Sequence, residues 1–210
     1  MTEAPPLTPG AFQSETGISP EAMARLGAYA DLLVAWQKKI NLVGGSTLPD
    51  LWRRHMLDSA QLLPHLPAAA GPLLDVGSGA GFPALVLAIC GVPDVHLVES
   101  DGRKAAFLTE AARITGTVIH IHRCRIEKLT PFPAKIVTAR ACAPLAKLIE
   151  YVEPFLTPDT ICMFPKGRNA EEELTDSQKN WMMKATRIRS LTDSAAQILR
   201  IEDISRRHGS

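Results

Sequence analysis

A glycine-rich segment between two apolar runs has the residue types and spacing of a small-molecule binding turn. Residues 73–76 are typical of a short buried strand, and residues 83–89 are typical of a helix. The turn that joins them contains three glycines, Gly77, Gly79 and Gly81. A glycine turn at a helix N-terminus exposes backbone amides and the positive end of the helix dipole, and both favour a polar ligand. The segment therefore predicts a ligand site at the end of this strand.

Two side chains of the turn limit which ligand it takes. A dinucleotide-binding turn has the pattern G-x-G-x-x-G, but here Phe82 occupies the position of the third glycine and leaves little room for a pyrophosphate. Asp75 precedes the turn, and its carboxylate repels phosphates and attracts an ammonium group. A nucleoside that carries an amino-acid end fits both residues, which indicates S-adenosylmethionine (AdoMet).

An acidic residue further along the chain supports the nucleoside site. Glu99 ends a second apolar strand, 18 residues after Gly81. An acidic side chain at about this distance from such a turn accepts hydrogen bonds from ribose hydroxyls. Glycine turns by themselves are also common as purely structural elements. The combination with Asp75 and Glu99 favours ligand binding.

Strands and helices alternate from residue 73 onward. Seven segments are predicted as strands: 73–76, 95–99, 118–122, 135–139, 160–164, 185–191 and 197–202. Helices are predicted over 83–89, 103–115, 145–156 and 170–184. This pattern predicts an α/β fold of the Rossmann-like class I AdoMet-dependent methyltransferase type, with a mostly parallel seven-stranded sheet and one antiparallel strand in a final hairpin. Because ligands bind beyond the carboxyl ends of such strands, we expect one rim from 75–82, 99, 125–127, 138–140 and 165–167.

The chain divides into three predicted regions. Residues 1–18 are rich in Pro, Gly, Ser and Thr and are expected to be flexible. Residues 19–70 form a helical extension, with helices over 20–39 and 49–63, and residues 71–210 form the methyltransferase domain.

Composition excludes several classes of protein. The 210 residues are 46% hydrophobic and 21% charged with a net charge of +1, which is typical of a soluble globular protein. No apolar run approaches the roughly 18 residues of a membrane helix, and the scattered cysteines indicate neither a disulfide framework nor a zinc site. We expect a cytoplasmic monomer without a metal. His120 and His122 are interpreted as the surface of an edge strand.

The absence of recognisable catalytic motifs limits which methyl acceptors are compatible with the sequence. An Asn/Asp-Pro-Pro-aromatic element, typical of amine methylation, is missing after the fourth strand, where Thr138-Ala139-Arg140-Ala141 stands. Methylation of pyrimidine carbon 5 needs a cysteine nucleophile. Cys142 lies nearby, but no second Pro-Cys or Thr-Cys dipeptide supports it. The predicted rim carries positively charged side chains but no evident general base. Such a rim suits an acceptor with a free lone pair, such as N7 of guanine.

The chain resembles the RsmG (GidB) family of bacterial 16S rRNA (guanine-N7)-methyltransferases over about 28–203. The shared motifs are Asn41-Leu42, Arg54-His55-x-Leu57-Asp58-Ser59, the 75–83 turn, Arg103-Lys104, Arg125-x-Glu127, Arg140-Ala141-x-Ala143-Pro144-Leu145 and Lys166-Gly167. Ala84 departs from the glycine that this family usually has there.

The resemblance implies an AdoMet-dependent enzyme that methylates N7 of guanine 527 in 16S rRNA. It carries the cofactor contacts over to Gly77, Phe82, Ile126, Glu127 and Arg140. It also implies rim or catalytic contacts for Asn41, His55, Arg140 and Lys166, with Lys166 on an RNA phosphate. From the residues alone, Arg140 could instead form a structural ion pair with Asp75 or Glu99, and Arg54 could pair with Asp58.

Two other functions remain open from the sequence. One is a small-molecule methyltransferase of the same fold. The other is a non-catalytic AdoMet-binding factor of ribosome assembly. The expected partner is 16S rRNA, either free or within the 30S subunit.

Overall fold

The predicted site lies at the carboxyl ends of the strands of a seven-stranded sheet. The computed structural model describes residues 5–68 and 71–207. The strands are β1 (Leu73–Val76), β2 (Val95–Val98), β3 (His120–His122), β4 (Ile136–Thr138), β5 (Ile161–Lys166), β6 (Trp181–Arg189) and β7 (Gln197–Arg206), in the order β3-β2-β1-β4-β5-β7-β6. All neighbouring pairs are parallel except those of β7, which runs antiparallel to both β5 and β6. The predicted sheet and hairpin are confirmed.

Helices cover both faces of this sheet. They are α1 (Pro9–Thr16), α2 (Pro20–Gln37), α3 (Asp58–Ala60), α4 (Ala84–Ile89), α5 (Gly102–Thr115), α6 (Leu145–Val152) and α7 (Ala170–Ser177). Buried apolar residues of α1 to α5 form one core cluster with one face, and those of α6 and α7 form a second cluster with the other. None of the helices within the described ranges is long and apolar enough to cross a membrane.

The N-terminal segment is more ordered than its composition predicts. Thr8 caps α1 by accepting a hydrogen bond from the Ala11 amide, and a proline occupies the first turn. Phe12 is fully buried, with its ring centre 5.2 Å from that of Trp52. The prediction of a flexible segment over 1–18 is therefore wrong for 9–16, because one buried aromatic ring anchors the helix. Residues 1–4 lie outside the described residues.

The second helix predicted in the extension is broken into short turns. A 3-10 turn (Gly45–Asp50), a π-helical turn (Trp52–Leu57), α3 and a further 3-10 turn (Leu63–His65) replace the expected helix over 49–63. Two carbonyls of the π turn accept side-chain hydrogen bonds, that of Arg54 from Arg140 and that of His55 from Ser59. Such side-chain donors compete with the regular helical ladder. The Arg54 carbonyl of this irregular backbone thereby contacts Arg140, which follows β4.

The helix predicted over 170–184 is half wrong. It ends at Ser177, and β6 begins at Trp181, which is only 2% exposed. Side chains of β6 alternate in burial along much of the strand, as expected for one covered face. The Trp181 ring is buried in the second core cluster. This burial favours the strand β6 over a continuation of α7.

Candidate functional site

The glycine turn between β1 and α4 adopts a conformation that side chains would block. Gly77, Gly79 and Gly81 have positive φ angles of 68°, 57° and 97°. A Cβ at Gly77 would lie 2.6 Å from the Cys142 sulfur, and one at Gly81 would lie 2.9 Å from Leu85 Cβ. Glycine is therefore required for both the backbone angles and the close packing.

Asp75 lies buried beneath this turn with one unsatisfied oxygen. The Thr138 hydroxyl donates to Oδ1 at 2.6 Å, whereas Oδ2 is buried and has no hydrogen-bond partner among the described residues. Burial raises the pKa of this carboxyl to about 7, although the Thr138 hydrogen bond opposes the rise. A buried acceptor without a donor is costly, and an ammonium-bearing ligand would satisfy it.

Glu99 ties the turn to the start of α5. Its Oε2 accepts a hydrogen bond from the Gly79 amide at 2.8 Å, and its Oε1 accepts one from the Asp101 amide at 2.7 Å. The side chain is 7% exposed. Glu99 thus shapes the turn, and its remaining lone pairs are the ones available to the predicted ribose hydroxyls.

A cavity of about 720 Å³ opens beside the turn. Its lining includes the glycine turn, the irregular turns of the extension, the loop from Arg140 to Pro144 and the loop between β6 and β7. Lys104 of α5, residues 165–167 at the end of β5, and Glu173 of α7 also line it. The predicted rim and the predicted extension therefore share one space. Such a volume is in the range of small-molecule and cofactor sites.

Arg140 is the centre of a polar cluster in this cavity. Its guanidinium donates to His55 Nδ1 at 2.8 Å and to Asp58 Oδ2 at 3.1 Å, and its Cζ lies 4.8 Å from the centre of the Phe82 ring. Its carboxylate partner is Asp58, not Asp75 or Glu99 as the alternative interpretation predicted. The guanidinium group of Arg140 therefore connects the glycine turn to the extension.

His55 is held as a neutral ring. It is 6% exposed, stacks on Phe82 with ring centres 4.9 Å apart, and lies with Nε2 2.6 Å from the Thr47 hydroxyl. Burial, and then the charges of Arg140 and Arg54, lower the pKa of His55 to about 3. Because a guanidinium only donates, Nδ1 accepts and Nε2 carries the proton toward Thr47. Both nitrogens are engaged, so this ring orients Arg140.

The other cavity wall comes from the hairpin. The Thr192 hydroxyl donates to Asp58 Oδ1 at 2.8 Å, and the Gln61 amide donates to the same oxygen at 3.0 Å. Arg54 Nη1 lies 3.9 Å from Asp193 Oδ2, and Asp58 pairs with Arg140. The Arg54–Asp58 pair that the spacing allowed as an alternative is not formed among the described residues. Thr47, Gln61 and Thr192 were not predicted, and no local motif marks them as site residues.

Lys166 does not present a free ammonium group to the cavity. Its side chain is 9% exposed, and its Nζ donates to Glu173 Oε2 at 2.8 Å and to the Ala143 carbonyl at 2.9 Å. The Leu145 amide also donates to Glu173 Oε2. In this structure the ammonium holds the 140–144 loop in place through the Ala143 carbonyl, and its contact with an RNA phosphate stays a prediction.

Six of the predicted site residues lie outside the cavity lining: Asn41, Asp75, Gly81, Glu99, Ile126 and Glu127. Asn41 is exposed, and its side chain accepts a hydrogen bond from Gln37 at 3.2 Å, whereas residues 42–44 line the cavity. The predicted catalytic contact of Asn41 stays a prediction. Ile126 is buried and Glu127 exposed in a 3-10 turn (Ile126–Lys128) after β3, beside the cavity but not in its wall.

Comparison with solved structures defines the class of protein. The L11 methylase of Lactobacillus delbrueckii subsp. bulgaricus aligns with a TM-score of 0.58 and 17% identity, covering 71% of this chain and 77% of that one. A glycopeptide N-methyltransferase in complex with AdoMet aligns with a TM-score of 0.56 and 8% identity, covering 70% and 93%. The fold is that of the class I methyltransferases.

Sequence comparison then gives the family. The chain matches the family described as GidB, rRNA small subunit methyltransferase G, over residues 22–201, and it belongs to that family. Ribosomal RNA small subunit methyltransferase G of Rhodospirillum rubrum is 54% identical over 200 residues, 95% of this chain and 100% of the relative. The protein of the same name from Paramagnetospirillum magneticum is 53% identical over 200 residues, 95% and 98% of the two chains.

Proposed function

We propose that this chain is an AdoMet-dependent methyltransferase that methylates N7 of guanine 527 in 16S rRNA. Membership of the family described as rRNA small subunit methyltransferase G supports the rRNA substrate. The observation that carries the proposal is the single cavity shared by the glycine turn and the Arg140 cluster. It places a nucleoside-type turn beside a guanidinium that bridges to the extension.

The residues around the turn fit AdoMet. Asp75 offers a buried carboxylate oxygen to which none of the residues in 5–68 and 71–207 donates, and this oxygen suits the ammonium group of the methionine end. Glu99, already fixed by two backbone amides, is assigned to the ribose, and Ile126 and Glu127 to the adenine. When bound, AdoMet supplies an electrophilic methyl group. The chain's own task is to bind both reactants and align them.

The acid–base groups of the cavity favour an acceptor that loses no proton. The carboxylates that line it are each paired with a cation: Asp58 with Arg140, Glu173 with Lys166, and Asp193 with Arg54. His55 uses both of its ring nitrogens. Guanine N7 has a lone pair in the ring plane and no proton, so its methylation needs no general base. This match supports N7 over an exocyclic amine.

Cationic groups at the cavity suit an RNA acceptor. Arg54, Lys104 and Arg140 line it, and positive groups at such a site attract the phosphate backbone. We assign Arg140 to the reacting pocket, where its guanidinium would contact the methionine carboxylate or an RNA phosphate. We further propose that the chain acts as a cytoplasmic monomer on 16S rRNA, free or within the 30S subunit.

Methyl transfer from labelled AdoMet tests this function. The chain is incubated with under-methylated 30S subunits, with bare 16S rRNA and with a small-metabolite fraction, and the modified nucleotide is mapped by mass spectrometry. Label in 7-methylguanosine at position 527 supports the proposal. Label only in small molecules would indicate the small-molecule enzyme, and tight AdoMet binding without transfer would indicate the assembly factor. Either result overturns the proposal.

Removal of the Arg140 guanidinium tests the site. Arg140→Ala is expected to lower transfer at least about 100-fold, because a positioned charge is lost from the reacting pocket. Circular dichroism checks that the variant is folded. Arg113→Ala, at an exposed arginine on α5, is the matched control and should keep wild-type transfer. Wild-type transfer by Arg140→Ala would remove this residue from the site.

A further inference from the structure

A second group of chemically active side chains lies across the neighbouring strands β2 and β3, outside the cavity. Asp94, His96 and His120 each offer one ligand atom, and these atoms all lie within 4.8 Å of one another. His96 Nε2 is 3.1 Å from Asp94 Oδ1, and His120 Nε2 is 3.6 Å from the same oxygen. One carboxylate oxygen therefore faces two imidazole nitrogens.

The sheet register brings these residues together. His96 of β2 pairs directly with His120 of β3 in the parallel ladder. Side chains two residues apart on a strand lie on the same face, so His122 lies on the face of β3 that carries His120. Asp94 immediately precedes β2, and its Oδ1 reaches His96 and His120. Backbone pairing between β2 and β3 therefore fixes the two histidine ligands side by side.

A fourth residue orients the central imidazole. His96 Nδ1 and His122 Nε2 form a hydrogen bond of 2.9 Å, and the two rings are parallel within 6°. With an ion bound at Nε2, the ring proton of His96 would sit on Nδ1 and be donated to His122 Nε2. An outer hydrogen bond of this kind fixes the tautomer of most metal-binding histidines. Phe132 packs on the same ring, with centres 4.5 Å apart.

We propose that Asp94, His96 and His120 bind a divalent transition-metal ion of the Zn²⁺ type. Two imidazole nitrogens and one carboxylate oxygen form a donor set that suits Zn²⁺, and three protein ligands leave a position for water. The side chains of Asp94 and His120 are 45% and 54% exposed, so an ion reaches them from solvent and the His120 ring can turn toward it. The bound ion would join β2 to the three-residue edge strand.

The placement separates this site from methyl transfer. Asp94 precedes β2, whereas Glu99 of the glycine-turn site follows it, which puts about five residues, or roughly 16 Å of strand, between them. None of the three proposed ligands lines the cavity. The ion would therefore stabilise the sheet edge, and its binding can be measured without any assay of the proposed enzyme activity.

Calorimetric titration of the untagged, metal-free chain with Zn²⁺ tests the proposal. One equivalent is expected to bind, and His96→Ala and His120→Ala should each weaken binding at least about tenfold. His65→Ala, which removes a histidine of the Leu63–His65 turn outside the cluster, is the matched control and should leave affinity unchanged. Zn²⁺ should also raise the melting temperature of the wild type but not of His96→Ala.

Two further measurements keep the test decisive. Circular dichroism checks that each histidine variant is folded. If a histidine variant is unfolded, Asp94→Asn replaces it in the test, because this substitution removes a ligand carboxylate at an exposed position. Co²⁺ in place of Zn²⁺ should give visible absorption bands of a low-coordinate ion in the wild type. No saturable binding by the wild type, or equal affinity in wild type, His96→Ala and His120→Ala, would overturn the site.

Discussion

Replacement of Asp75 by asparagine should change how stability depends on pH. Burial raises the pKa of this carboxyl from its ordinary 3.8 to about 7, with the Thr138 hydroxyl opposing the rise. The folded chain therefore holds a proton that the unfolded chain has released between these two pH values. The stability from this proton is fully present below pH 3.8 and is lost as the pH rises through 7. Asparagine does not titrate, so the variant avoids this loss.

The size of the effect follows from the shift. A rise of about 3 pKa units corresponds to about 4 kcal/mol in total. Roughly 2 to 3 kcal/mol of it falls between pH 5 and pH 8. From pH 5 to pH 8, the free energy of unfolding of Asp75→Asn should rise by that amount relative to the wild type. His55 titrates in both proteins, so its contribution cancels in the difference.

Urea unfolding at pH 5, 6, 7 and 8 measures this difference. The matched control is Asp159→Asn, because Asp159 is 81% exposed and pairs only with Lys135. Its stability should follow the wild type across the same range. If the profiles of Asp75→Asn and the wild type are parallel within about 0.5 kcal/mol, the inference that burial dominates at Asp75 is refuted. AdoMet titration of the same variant then tests the proposed ammonium contact separately.

Two other variants test the packing of the cavity wall. Gly77→Ala should weaken AdoMet binding at least about tenfold in calorimetric titration. The added Cβ would contact the Cys142 sulfur, and the positive φ of this position disfavours any side chain. The double variant with Cys142→Ala should regain part of the affinity. Unchanged affinity in Gly77→Ala would contradict this close packing. Glu173→Gln should lower the free energy of unfolding by about 1–3 kcal/mol in urea, since Lys166 loses its charge partner. The exposed neighbour Glu172 provides the control, and an equal effect of Glu172→Gln would show that the pair is unimportant.

Local signals account for what the sequence predicted well. The 75–82 turn and the alternation of strands and helices depend on short-range spacing, so the parallel sheet and the position of the glycines could be predicted. The family motifs also marked Arg140, His55 and Asp58, and the structure brings these three together. The carboxyl ends of neighbouring parallel strands lie on the same side of the sheet. Residues that follow predicted strands could therefore be assigned to one site from the sequence.

Long-range partners account for what was missed. Thr192 contacts Asp58 across 134 residues, and no local pattern encodes that contact. Lys166 has the side chain of a phosphate ligand, but its burial against Glu173 depends on how α7 packs. Phe12 orders a segment whose composition predicted flexibility, because a single buried ring outweighs its polar neighbours. The histidine cluster likewise needs the register of β2 and β3.

The contacts between the hairpin and the extension impose an order on biosynthesis. The Leu191 amide donates to Gln61 across 130 residues, and Thr192 completes the hydrogen bonds of Asp58. A nascent chain that has not yet passed residue 192 has its glycine turn but lacks one wall of the cavity. The polypeptide therefore gains its complete binding pocket only after residue 192 has been synthesised. An interrupted product would carry the ligand-binding motif without a finished pocket around it.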